Sequence, residues 1–199
     1  MKNSFWLILI GVLALMLLSL FLSLLLSLSM RRFSFLRYFF VFPMMVPTAT
    51  IVVVWQNLFC NSETALPVYV LFVWKNLGIC IILLTAALTT IDNCVYEAAR
   101  LDGVNAIRLH IKISVPLIAL TFFFSMLLAV MNSFKIFKES FLLYGGKYPP
   151  EHSYTLQFYI NNNFLKFYYP ALASASIITS LLVLVIVFVG FYLQRRVQL

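Results

Sequence analysis

Polar residues are scarce in this chain, so the few that interrupt it carry most of its chemical meaning. Glu97-Ala98-Ala99-Arg100-Leu101-Asp102-Gly103, followed by Ile113-Ser114-Val115-Pro116, forms a charge-balanced island between two long apolar runs. Glu97 and Asp102 stand among the bases Arg100, Arg108 and Lys112 in sequence. Asp92 can cap a helix start, because its carboxylate accepts from unpaired N–H groups and favours the positive end of the helix dipole. Ala98 and Ala99 favour helix and allow close approach of a second surface. Gly103 lies where such a helix ends, a position that favours positive φ. Pro116 then falls in the first turn of the next apolar segment, where proline costs least. The spacing predicts a short rigid helix, a sharp bend and a return into apolar surroundings.

Lys75 and Asn76 are a strongly polar pair inside an apolar segment. A lysine at the centre of a bilayer costs roughly 2.5–3.5 kcal/mol on insertion scales. Lys75 therefore either faces a cavity or partner, or snorkels to the interface. Asn132, Phe134 and Tyr144 lie at or just past the outer end of the fourth apolar segment. With Lys75 and Asn76 they are candidates to line a pathway for a polar substrate, since such a site needs apolar walls and a few convergent polar groups. Trp55 and Trp74 read as interface anchors or packing.

No catalytic constellation is present. G-x-x-x-x-G-K-[ST], the loop that cradles nucleotide phosphates, does not occur, and Gly146-Lys147 lacks its flanking residues. No nucleophile elbow, zinc motif or carboxylate pair lies in an apolar run. Cys60, Cys80 and Cys94 have no C-x-x-C spacing and read as small apolar fillers. His110 and His152 stand alone, in solvated or interfacial positions without metal-ligand company. The expectation is a non-enzyme chain with no metal and no cofactor of its own.

The elements that must position these residues follow from composition. Hydrophobic residues make up 63% of the 199 and charged residues 10%, against roughly 45–50% and about 25% in soluble domains. The class is therefore all-α integral membrane, in a single domain spanning 1–199. Five segments approach the ~20 residues a bilayer requires: approximately 5–29, 38–59, 66–90, 113–132 and 171–193. The first is too long for a secretory h-region and lacks a cleavage site. Pro43 and Pro47 interrupt the second. The polar island occupies a loop at 92–112, and 133–170 reads as an aromatic outer loop broken by Gly145-Gly146 and Pro149-Pro150.

The net charge of +8 does not point to nucleic acid, because the bases cluster at the ends of apolar runs. Arg31, Arg32 and Arg37 follow the first segment, Arg100, Arg108 and Lys112 the third, and Arg195 and Arg196 the fifth. Those places share one side, which the positive-inside rule makes cytoplasmic. The N-terminus is then outside, the C-terminus inside and the Glu97 island in the cytoplasm.

Written as E-A-A-x3-G-x9-I-x-V-P, the island resembles the EAA loop of ABC importer permeases. The resemblance runs from about Arg37 to the C-terminus. Phe134-Lys135-Ile136-Phe137, Tyr144-Gly145-Gly146, Thr155-Leu156, Asn161-Asn162-Asn163-Phe164 and Ala171-Leu172-Ala173-Ser174-Ala175 are similar to the maltose and glycerol-phosphate branch of sugar permeases. It implies a type I (MetI-like) core whose coupling helix, with Glu97, Ala98, Ala99, Asp102 and Gly103, docks on an ATPase from the cytoplasm. It also implies a bacterial plasma-membrane location and carbohydrate uptake. The implied partners are a second permease in a heterodimer, two ATPase subunits holding ATP and Mg, and an extracytoplasmic sugar-binding protein. Lys147 and Asp92 stand where the family has prolines, and the family's first span has no counterpart. The rival readings are a permease for an amino acid or peptide, a membrane scaffold that binds an ATPase, and an ion-coupled transporter. The spans hold no carboxylate to carry protons or sodium for the last.

Overall fold

A computed structural model describes residues 2–28, 34–59, 64–145 and 149–197 of the chain. Cys60, Arg31, Arg32, Gly146 and Lys147 lie outside the described residues, as does the His152 side chain.

The Leu-rich N-terminal run forms a continuous helical rod. Helix α1 (Lys2–Trp6) passes through a π-helical stretch (Leu7–Val12) into α2 (Leu13–Leu28). Along α2, Ser19, Ser23 and Ser27 donate to the carbonyls of Met16, Leu20 and Leu24, so their hydroxyls are satisfied without water. Ser19 and Ser23 are fully buried.

Helix α3 (Ser34–Met45) and α4 (Thr48–Leu58) follow. The 38–59 segment is thus not one straight span: a break at Val46-Pro47 bends it by 107°. Proline supplies the cause, having no N–H to give and pushing the residue before it toward extended geometry.

Helix α5 (Leu66–Thr89) opens with Pro67 in its first turn and runs through the middle of the bundle. It packs on α2, α3 and α9. Gly78 permits the α3 approach: a Cβ there would lie 2.1 Å from the carbonyl oxygen of Phe40. Trp55 of α4 stacks on Phe59 at 5.3 Å and meets Trp74 of α5 at 5.6 Å, so both tryptophans pack between helices.

Beyond α5 come α6 (Asn93–Leu101), α7 (Ala106–Leu109), a π-helical turn (His110–Ser114) and α8 (Val115–Leu117). After a 71° bend at Ile118, α9 runs from Ala119 to Lys135. The sequence expectation of a span over 113–132 is therefore shifted. Pro116 cannot supply an N–H to the helical ladder, and the chain bends directly after it.

The 133–170 region is largely helical rather than a loop. It contains α10 (Phe137–Leu143), a 3-10 turn (Glu151–Ser153) and α11 (Leu156–Leu165) before α12 (Tyr169–Val197). Phe158 of α11 packs edge-on to Phe137 at 4.9 Å. The N-terminus is stitched to this region: Asn3 Nδ2 donates to the Tyr154 carbonyl at 3.0 Å, and the Leu156 N–H donates to Ser4 Oγ at 2.8 Å.

Among the described residues three helical stretches are long and apolar enough to cross a membrane, or up to five if each bent pair is one span. Substituting Gly78→Ala drives a methyl group into backbone that cannot move aside. It should cost on the order of 1–3 kcal/mol and lower the thermal midpoint in detergent. Gly11→Ala meets only the Phe72 ring, at 3.2 Å, and should be milder in the same melt.

Candidate functional site

Helix α6 has a built beginning and a built end. Asp92 Oδ1 accepts from the Cys94 N–H at 3.0 Å, the expected N-cap. That bond holds the Asp92 carboxyl below its usual range. At the other end the Val104 N–H donates to the Ala99 carbonyl at 3.1 Å, and Gly103 has φ +72°. The six-residue return and left-handed glycine are a Schellman termination. Space is no constraint at Gly103, since a Cβ there would meet nothing within 4 Å. Backbone conformation alone selects glycine.

The two alanines have different roles. Ala98 is exposed with Glu97, Asp102 and Gly103, whereas Ala99 is buried against its own chain. Leu101 is 89% exposed. A helix that turns Leu101 and Ala98 outward beside Glu97 presents an apolar strip with an acidic flank. Its inner face is held by Tyr96, whose hydroxyl lies 3.2 Å from Ser114 Oγ. Ser114 is fully buried and also sits 3.1 Å from His110 Nδ1. His110 is thus a bonded, half-buried residue rather than a solvated one. Cys94 is exposed on α6, contrary to the expected apolar filler, while Cys80 is buried in α5.

A second constellation lies between α3, α5, α9 and α10. Lys75 Nζ donates to Thr48 Oγ1 at 2.8 Å and is ion-paired with Glu139. The two side chains are 21% and 12% exposed. One turn face away, Asn132 Nδ2 donates to Asn76 Oδ1 at 2.9 Å, and Asn76 Nδ2 donates to the Phe72 carbonyl at 2.8 Å. Lys75, Glu139, Asn76 and Asn132 line a cavity of about 300 Å³ whose apolar wall includes Met44, Leu71 and Ile79. Of the two sequence alternatives for Lys75, the geometry selects the cavity-facing one with a partner.

Three of the five pathway candidates, Lys75, Asn76 and Asn132, therefore meet at one place. Phe134 and Tyr144 do not. Phe134 lines a separate apolar groove with Ile8, Leu156 and Ile186. The Tyr144 hydroxyl lies 2.7 Å from Ser153 Oγ, and burial pushes its pKa up. Sequence reasoning missed Thr48 and Glu139. Glu139 carried a usable signal, as an acid within an aromatic stretch that an intramembrane lysine could claim.

Apolar helices in a bundle, joined by a capped helix with an exposed face, define a polytopic membrane protein. More narrowly, the chain belongs to the family described as "binding-protein-dependent transport system inner membrane component", which matches residues 16–199. It is 27% identical over 133 residues to the arabinooligosaccharides transport system permease protein AraP of Bacillus subtilis, covering 66% of this chain and 42% of that protein. It is 29% identical over 126 residues to the lactose transport system permease protein LacF of Rhizobium radiobacter, covering 62% and 42%. It is 30% identical over 145 residues to the glucose import system permease protein GlcT of Saccharolobus solfataricus, covering 68% and 48%. The chain thus spans less than half the length of these curated relatives. A chain of the bacterial alginate ABC transporter, solved with an alginate pentasaccharide-bound periplasmic protein, shares the fold. That match has a TM-score of 0.79 at 18% identity, over 99% of this chain and 77% of that one.

The cap geometry yields two expectations. Asp92→Ala should speed amide exchange at Cys94 severalfold without altering α5. Because the folded Asp92 carboxyl is held low, its cap is present above the unfolded pKa of about 3.9. The cap is lost as pH falls through the lower folded value, so exchange at Cys94, corrected for its intrinsic pH dependence, should rise only on acidification.

Proposed function

We propose that this chain is the transmembrane permease subunit of an ATP-driven, binding-protein-dependent importer, and that its cargo is a carbohydrate. The observation that carries the proposal is α6: rigidly capped at both ends, anchored inward through Ala99 and Tyr96, and exposed along Glu97, Ala98 and Leu101. Family membership and the sugar-transport names of AraP, LacF and GlcT support the cargo class.

In this reading two ATPase subunits, which hold ATP and Mg, grip α6 of this chain and its equivalent on a second, different permease. An extracytoplasmic binding protein delivers sugar at the opposite face. The N-terminus and the 151–156 turn are tied together by Asn3 and Ser4, which supports their sharing the outer side. The C-terminus and α6 then lie on the cytoplasmic side of a bacterial plasma membrane. ATP shifts the conformational equilibrium only by binding one state better than the other. Movement of α6 reaches Ser114 through Tyr96, and the bend at Ile118 passes it to α9. Helix α9 carries Asn132 into the cavity wall, so docking site and cavity share one lever.

Lys75, Asn76 and Asn132 are the substrate-pathway residues of this reading. Phe134 and Tyr144 support the surrounding walls instead. Gly103→Asp places a side chain on a left-handed backbone and a charge on the docking face. In proteoliposomes carrying the assembled importer it should leave ATP hydrolysis running while ATP-dependent sugar accumulation falls to background. Wild-type accumulation by that variant would overturn the coupling role of α6.

A further inference from the structure

We infer that the cavity between α3, α5, α9 and α10 selects neutral, hydroxyl-rich saccharides over acidic ones, and that Glu139 is its specificity-determining residue. This inference rests on the carbohydrate-import reading and narrows its substrate class.

The Lys75–Glu139 pair has unused hydrogen-bonding capacity. An ammonium has three N–H donors. Lys75 gives one to Thr48 Oγ1 and one to Glu139 Oε1, leaving a third. Glu139 Oε2 is buried and has no hydrogen-bond partner among the described residues. A carboxylate oxygen only accepts, and leaving one buried and unmatched is costly. Glu139 and Lys75 both line the cavity, so a ligand there meets a carboxylate acceptor and an ammonium donor side by side. A sugar hydroxyl can donate to the first and accept from the second with a single oxygen. The planar amides of Asn76 and Asn132 stand on the same wall, and Leu71 and Ile79 offer an apolar surface to the C–H face of a ring.

Charge points the same way. Among the described residues, the half-buried side chains of opposite charge at the cavity are Lys75 and Glu139, in contact. Their sum is zero, so a neutral ligand keeps the cavity balanced. A substrate carboxylate would meet the Glu139 carboxylate in low-dielectric surroundings, where like charges repel most strongly. Lys135 also lines the cavity, but its side chain is exposed, and solvent screens the hold it could exert on an anion. A solved importer of the acidic polysaccharide alginate shares the fold with this chain, so charge preference lies in cavity side chains and not in the fold.

The test uses the assembled transporter without its binding protein, so that selectivity reads the membrane cavity alone. Radiolabelled glucose and glucuronate are compared by equilibrium binding; they differ in the oxidation state of one carbon. Wild type should bind glucose at least about tenfold more tightly, the scale of a hydrogen bond to a charged group. Glu139→Gln removes the repelling charge and leaves Lys75 unopposed, so the preference should narrow or invert toward glucuronate. Should that variant fail to assemble, Lys75→Gln/Glu139→Gln keeps the cavity neutral, and its two affinities should be nearly equal. Tighter binding of glucuronate by wild type, or an unchanged ratio in every assembled variant, overturns the inference. The same preparation, supplied with binding protein and ATP, is assayed for sugar accumulation. Accumulation without any cavity binding defeats the inference and leaves the importer reading standing; absence of accumulation for every sugar defeats both.

Discussion

An ammonium group in apolar surroundings must find an opposite charge, and the way Lys75 meets that demand organises the bundle. Its partners come from two other helices: Thr48 at the start of α4 and Glu139 in α10. Removing one member of such a pair strands the other charge, which is why it acts as a strong positional constraint even where its net stabilisation is small. Gln56 adds to the same junction, donating to the Leu142 carbonyl at 2.7 Å. Helix α4 is thereby bound to α10 and α5 after a bend that would otherwise leave its direction undetermined. The bend itself is tolerable because Met44 and Thr48 face protein groups and the cavity, and irregular backbone at membrane depth survives only in such places.

Small residues let the remaining helices close around that junction. Gly78 admits the α3 backbone, and Gly190 on α12 sits so near the Phe123 ring that a Cβ would lie 2.3 Å from it. Helix association in lipid relies on such intimate contact, because apolar burial offers little advantage there. The buried serines of α2 follow the same logic, being small and bonded to their own helix. In the proposed importer, rigidity around the cavity and a stiff, capped α6 belong together: a push on α6 moves a cavity wall only if nothing between them yields.

Much of this was legible from residue type and spacing. Asp92 and Gly103 act locally, through the backbone next to them, so the cap and the left-handed turn could be read directly. The polarity of Lys75 and Asn76 inside an apolar run was likewise a local fact that demanded a partner. The identity of that partner was not local. Glu139 is far along the chain in a segment whose glycine and proline pairs suggested a loop, yet Phe137, Phe141 and Phe158 pack it into helices. Pro47 announced an interruption, but the 107° bend is set by what α3 and α4 pack against. Tyr144 and Phe134 had the composition of substrate contacts; tertiary packing directs them to Ser153 and to an apolar groove.

In the proposed importer, α6 is the surface on which a motor acts. A photo-crosslinking amino acid at Leu101, 89% exposed on that helix, reports its neighbour directly in native membranes. Illumination should join this chain to an ATPase subunit carrying a nucleotide-binding loop, and the adduct should change in yield when ATP is trapped. An adduct with lipid alone, or with a protein on the opposite membrane face, would contradict the account.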